Sequence, residues 1–184
     1  MARFGRAFPM PIQRAKGATS SFTATLTTYS TAGSYTYTIP TGCTKVDVVA
    51  LGGGSGGGGG SGSGLGNPGN WAWATVTVSQ VGPTISGSVG AGGAGGVYGG
   101  GVGGNTTATS TGWSGLVAAG AQNTGGSTTS PGNIIFNGRT YIGAPVISLT
   151  IGQTGAVPGG GGGPSYYFYA GGAGGQGEIW FYAY

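Results

Sequence analysis

The chain contains no histidine, a single cysteine and only two acidic residues, Asp47 and Glu178, among its 184 residues. Each shortage removes a class of function. General acid–base catalysis works through His or tuned carboxylates, and a nucleophilic Ser or Cys needs an adjacent base. Metal sites are assembled from His, Cys and carboxylate clusters. The sequence therefore predicts a protein that is not an enzyme, with no catalytic residues, no cofactor and no metal. The one conceivable carboxylate couple, Asp47 with Glu178, could act as in a glycosidase only if folding brought them to within about 5–10 Å. Cys43 has no partner for an intramolecular disulfide, and its place in the strand-like run Cys43 to Leu51 makes it a small buried hydrophobe. No stretch approaches the about 18–20 consecutive apolar residues of a membrane helix, and the N-terminal charges come without an apolar signal region. The expectation is neither membrane insertion nor export by a standard signal peptide.

Charge is also scarce, at 4% Asp, Glu, Lys and Arg, against about 25% in an ordinary soluble domain. The net charge of +4 is unevenly placed. Arg3, Arg6, Arg14 and Lys16 lie in the first 17 residues, whereas Lys45 and Arg139 balance Asp47 and Glu178 in the body. Four charges in one tail give a weak, salt-sensitive grip on phosphate, and no fold signature for reading nucleic acid accompanies them, so no nucleic-acid partner is expected. The opening MARFGRAFPMPIQRAKG interleaves these bases with Phe4, Phe8 and Ile12, and Pro9 and Pro11 exclude helix. Residues 1–19 read as an extended basic and aromatic arm, and 20–184 as the folded body. The arm is either a loose terminus or an anchor laid on a neighbouring subunit, and the aromatics between charges favour the anchor.

Glycine is what the chain has in excess: 48 residues, concentrated in tracts such as 52–60 and 159–163 between short β-branched runs. Period-two alternation, dense β-branching and turn signals predict strands at Phe22 to Thr27, Ser34 to Ile39, Lys45 to Leu51, Trp71 to Ser79, Thr84 to Val89, Asn133 to Phe136, Thr140 to Ile142, Val146 to Ile151 and Glu178 to Tyr184. Glycine-rich insertions fall at about 52–70, 90–104, 120–132 and 158–177. No window carries 3.6-residue apolar spacing with helix formers, so the class is all-β.

Three states share the composition of the tracts. Flexible linker is the first. Collagen is the second, and it needs Gly at every third position over a long run. The third is packed polyglycine-II: threefold helices without internal hydrogen bonds, whose N–H and C=O groups project to neighbouring helices. Ordering a glycine costs about 0.5–1 kcal/mol more than ordering an alanine, and one hydrogen bond returns a net of only about 0.5–1.5 kcal/mol. Packed tracts therefore require nearly every amide to be paired and an aromatic core to hold the bundle. With so little charge to keep copies apart, such a chain is suited to an assembly in which neighbours cover its arm and strand edges.

The run Ser34-Tyr35-Thr36-Tyr37-Thr38-Ile39-Pro40-Thr41-Gly42 through Val48-Val49-Ala50-Leu51-Gly52-Gly53-Gly54, the stretch Ser88-Val89-Gly90-Ala91-Gly92-Gly93-Ala94-Gly95-Gly96 and the closing segment Gly174 to Tyr184 resemble the glycine-rich domain of phage tail proteins. Arg3-Phe4-Gly5-Arg6-Ala7-Phe8-Pro9 resembles the opening of minor tail proteins of long-tailed, siphovirus-type phages of actinobacteria. The resemblance implies a jelly-roll-like, tumour-necrosis-factor-like β-sandwich with polyglycine-II-like insertions, as a homo-oligomer with a trimer favoured. The region 105–132 departs from it, being rich in Thr, Ser and Asn.

The function so implied is a structural virion protein on the exterior of a phage tail, a tail-tip or tail-fibre component. Its assembly anchor would be Arg3, Phe4, Arg6, Phe8 and Arg14, gripping other virion proteins. Possible host contacts are Trp71, Trp73, Trp113, Tyr166, Tyr167, Phe168 and Tyr169, which could stack on the glycans or lipid of a cell envelope. Core packing is the favoured reading for these aromatics, although four consecutive ones at 166–169 must point to both faces of any strand, which leaves some of them exposed. A capsid decoration protein is the alternative, distinguished by copy number. A cell-wall glycine-rich protein and an enzyme using Asp47 and Glu178 come after it.

Overall fold

The structure, a computed structural model, describes residues 22–59, 64–148 and 150–184. It is all-β, with a single 3₁₀ turn at Val78–Gln80. The strands are β1 (Thr25–Tyr29), β2 (Gly33–Thr38), β3 (Lys45–Leu51), β4 (Trp71–Thr77), β5 (Thr84–Val89), β6 (Thr106–Ser110), β7 (Trp113–Ala118), β8 (Ile134–Phe136), β9 (Arg139–Tyr141) and β10 (Glu178–Ala183). Two four-stranded sheets, ordered β1-β10-β3-β4 and β2-β5-β6-β7, pack face to face, and β8 and β9 form a separate hairpin. Every pairing is antiparallel.

β3 explains why the first sheet has a layer on each side. Its residues Val46, Val48 and Ala50 point into the sandwich with Ile179 and Phe181 of β10 and with Tyr35, Tyr37 and Ile85 of the second sheet. The alternate residues Val49 and Leu51 point outward and are covered, with Trp180, by Tyr141 and by the partly buried Trp71, Ile134 and Phe136 of β4 and the hairpin. Phe181 is the centre of the inner layer. Its ring stacks on Tyr37 at 4.3 Å and meets Tyr35 at 5.6 Å and the edge of Tyr29 at 6.0 Å.

Three strand expectations need correction. β1 lies at Thr25–Tyr29 rather than Phe22 to Thr27, because Tyr29 is drawn inward opposite Ile179 to stack on Tyr35 at 4.8 Å. That register turns Leu26 outward, where it is 47% exposed. The described residues of Val146 to Ile151 form no strand: the Ile147 amide is taken by the Thr129 hydroxyl (3.2 Å) and Thr150 N–H by Ser148 O (2.8 Å). The hairpin β6–β7 was not anticipated, since its Thr-, Ser- and Ala-rich sequence has weak apolar alternation. Tertiary contact supplies what the pattern lacks: Thr106 is fully buried and its hydroxyl bridges Gly90 N–H (3.0 Å) and Leu51 O (2.7 Å).

The glycine tracts form a packed bundle built directly on one end of the sandwich. β3 runs into 52–59, 64–70 runs into β4, 90–104 joins β5 to β6, 119–126 follows β7, and 170–177 leads into β10. Segment 52–59 is the axis. Gly53 and Gly56 donate to Gly104 and Gly101, both at 2.9 Å; Gly54 and Gly57 donate to Gly175 (2.8 Å) and Gly172 (2.9 Å); Ser55 and Gly58 donate to Asn67 and Gly64, both at 2.9 Å. It also accepts from Gly93 and Gly96, from Ala121 and from Gly162, at 2.9–3.0 Å. Four of the partners recur every third residue, as the threefold symmetry of polyglycine-II requires, and with 90–97 and 99–104 counted as two passes, six passes of the chain surround the axis. Such proximity is open only to residues without a side chain: a Cβ on Gly56 would collide with the Ala94 carbonyl, and one on Gly57 with that of Gly163.

Candidate contact surface at the distal pole

At about 3.1 Å per residue, the axis from Gly52 to Gly59 carries the tip of the bundle roughly 20 Å beyond the sandwich. Gly58 bridges to Gly64 there, and the Ser165 hydroxyl ties two tract ends together by donating to Gly59 O and Val97 O, both at 3.1 Å. The residues that follow these ties, Tyr98 and Tyr166, are thereby brought to the same pole. Tyr169 N–H donates to Tyr166 O at 3.0 Å, closing a tight turn with Tyr167 at φ 48° and Phe168 at its corner. A bulky residue at positive φ is strained, and the Tyr166 and Tyr167 rings meet edge to face at 4.3 Å. Tyr98 is 81% and Phe168 87% exposed, with Tyr166, Tyr167 and Tyr169 also more than half exposed. No Lys, Arg, Asp or Glu lies in 48–138 or 140–177. The pole is thus an uncharged aromatic surface with several phenol hydroxyls, chemistry suited to stacking and hydrogen bonding.

The expected contact residues divide by position. Tyr166, Tyr167, Phe168 and Tyr169 stand together at the pole. Trp71 is half-buried on the sandwich, stacked on Trp180 at 5.5 Å, its indole N–H on Pro131 O at 3.2 Å. Trp113 packs against the inner core, and Trp73, 49% exposed, lies 6.2 Å from Phe136 on the flank. Tyr98 was missed by sequence reasoning; its signal is a lone ring in Gly96-Val97-Tyr98-Gly99. The anchor residues Arg3, Phe4, Arg6, Phe8 and Arg14, and the rest of the arm, lie outside the described residues. The described chain begins at Phe22, which packs against the core beside Gly42, at the end of the sandwich opposite the bundle.

The two carboxylates do not meet. Asp47 stands opposite Tyr182 and Glu178 opposite Leu51, four positions apart on the β3–β10 ladder. That is about 13 Å along the strands, with Val49 and Trp180 between. Asp47 is almost fully buried and accepts from Thr75 (2.6 Å), Asn137 (3.0 Å) and Tyr184 (3.3 Å), so it is the clasp that fastens the β8–β9 hairpin and the last residue to the sheet. Burial, and then Asp47, push the Tyr141 phenol up to about 12. Arg139 lies over the Tyr182 ring at 3.9 Å. Burial raises the Glu178 carboxyl to about 6. Cys43 is buried, with its thiol on Pro40 O at 3.0 Å. No group of three or more His, Cys, Asp or Glu placed to hold a metal ion occurs among the described residues, and no described helix is long and apolar enough to cross a membrane.

These features define a class: a β-sandwich whose loops at one end crystallise into a main-chain glycine bundle with an aromatic tip. The chain belongs to the glycine-rich domain family, whose model matches residues 28–155. It is similar to the Gene 32 protein of Mycobacterium phage L5, with 43% identity over 186 aligned positions covering 89% of this chain and 84% of that protein. Family and relative together place it among phage glycine-rich proteins.

Proposed function

We propose that the protein is a structural component of the virion, a minor tail protein at the tail tip or a tail fibre. Residues 1–19 anchor it to other virion proteins, and the aromatic pole is directed outward to the host surface. The sandwich is read as a jelly roll, assembled as a homo-oligomer with a trimer favoured, and the protein as having no catalytic role of its own. One observation carries the reading: the described chain enters at the end of the sandwich opposite the exposed ring cluster, so attachment and presentation fall at opposite poles. The uncharged bundle between them is a stiff spacer.

The anchor is tested by deleting residues 1–17. Truncated protein should be missing from purified particles, and incorporation at full copy number would overturn the anchor. The pole is tested by Tyr166→Ser with Tyr169→Ser, which should slow adsorption to host cells at least tenfold without lowering copy number. Adsorption at the unaltered rate would remove the pole from host contact. Copy number per particle separates a tail component from a capsid decoration protein, which would be present in hundreds of copies.

A further inference from the structure

The β8–β9 hairpin covers the outer face of β3 and β4 and reaches Trp180 and Tyr182 of β10, but leaves Leu26 and Thr28 of β1 exposed. Between them runs a groove of about 360 Å³ lined by Leu26, Arg139, Thr140, Tyr141, Ile142, Pro158, Glu178 and Trp180. Its floor has a definite order. Leu26, with the small exposed rim of the otherwise buried Trp180, forms an apolar patch toward the proximal end, Glu178 follows, and Ile142 and Pro158 make a second apolar patch toward the bundle, where Ala144 N–H meets Pro158 O and Gly159 N–H meets Gln176 O. One wall is an unpaired strand edge. Phe136 and Arg139 close the two-residue Asn137-Gly138 turn, so antiparallel alternation turns the N–H and C=O of Thr140, the next residue, away from β8. No described residue outside the hairpin bonds to that backbone. The Glu178 carboxyl has no hydrogen-bond partner among the described residues, whereas Asp47 has three donors.

We infer that this groove receives the N-terminal arm of a second copy of the chain, added as a strand along β9 with Arg6 on Glu178 and Phe4 and Phe8 in the two apolar patches. In a strand, residues 4, 6 and 8 share one face about 6.7 Å apart, and Phe4-Arg6-Phe8 reproduces the apolar–acidic–apolar order of the floor in complementary chemistry. Strand addition at a free edge supplies main-chain hydrogen bonds, and side-chain pockets supply selectivity. Charge complementarity points the same way: four of the six bases precede residue 17, and Glu178 is the one carboxylate of the described residues not enclosed by donors. A second copy is favoured over the chain's own arm because Phe22 is held on the inner core beside Gly42, on the other side of β1 from the groove. Arm-to-groove contact is head-to-tail, so copies would link into a ring or an open row. The inference rests on the anchor reading and names its partner.

The test uses the full chain and a fluorescent peptide of residues 1–21. Anisotropy should show saturable binding that weakens with salt, and Leu26→Lys, Thr140→Pro and Glu178→Gln should each weaken it at least tenfold while near-ultraviolet dichroism stays unchanged and melting temperature does not fall. The same peptide should dissociate chain oligomers in sedimentation velocity. Absence of binding at 1 mM peptide overturns the inference, as does equal binding by a scrambled peptide or binding that survives both Leu26→Lys and Thr140→Pro. Groove variants that incorporate normally into particles while arm-deleted chain does not would sink the self-docking partner and leave the anchor standing. Normal incorporation of the arm-deleted chain would sink both.

Discussion

At the residue scale the protein inverts the usual division of labour, because its most constrained positions have no side chain. Gly56 sits where any Cβ meets the Ala94 carbonyl, and both segments are held by hydrogen bonds on their other sides. Gly56→Ala should cost about 3 kcal/mol, the upper range for overpacking, read as a lowered denaturation midpoint. Gly99→Ala is the control: its nearest neighbour would be Asn123 Nδ2 at 3.6 Å, so its midpoint should move by less than about 0.5 kcal/mol. Glu178 makes a pH prediction. Its folded value of about 6 lies above the ordinary carboxyl value of 4.5, so between those values the native state holds more proton than the unfolded chain. Stability should therefore fall as pH rises from about 4.5 through about 6. Glu178→Gln should flatten that part of a melting-temperature profile, and an unchanged slope would assign the effect to another group.

At the scale of elements, the hairpin β8–β9 shows how a short, marginal unit becomes a fixed layer. A lone two-stranded hairpin is barely stable in water; here Asn137, in the turn at φ 47°, donates to Asp47 and Thr75 at 3.0 and 3.1 Å. Asn137→Gly keeps the turn but removes these bonds, and should cost about 1.5–3 kcal/mol, the range for a hydrogen bond to a charged acceptor. Loss of the near-ultraviolet dichroism of the stacked Trp71 and Trp180 would accompany it. Much of this level was legible in the sequence. β3 and β5 were read at their observed limits: dense β-branching after the Pro40-Thr41-Gly42 turn bounds β3, and Gly82-Pro83 before and Gly90 after bound β5. β6–β7 was not legible, because its buried Thr106 is specified by the carbonyl of Leu51, far away in the chain. The shift in β1 has a similar origin: Tyr29 is placed by rings on β2 and β10, which no local alternation encodes. Of the pole, only that some of the four rings at 166–169 are exposed could be read, not that all four are or that Ser165 would gather them with Tyr98.

At the scale of the whole molecule, the bundle should behave as one cooperative body, since its axis is bonded on six sides by passes of the chain drawn from four interstrand connections. Hydrogen exchange checks this: amides of 53–58 should exchange only with global unfolding, together with those of β3 and β10. Faster exchange of 53–58 than of the sandwich strands would show that the loops order separately. The threefold partnering has one more consequence, for how such proteins can change length. Inserting one or two residues into a single tract would rotate every later donor onto the wrong neighbour, whereas three residues added in step to all the tracts restore the pairing one repeat farther out. Relatives with a longer or shorter reach should therefore differ by matched triplets, each worth about 9 Å. The spacer is a ruler graduated in whole turns, and evolution can reset it only by notches.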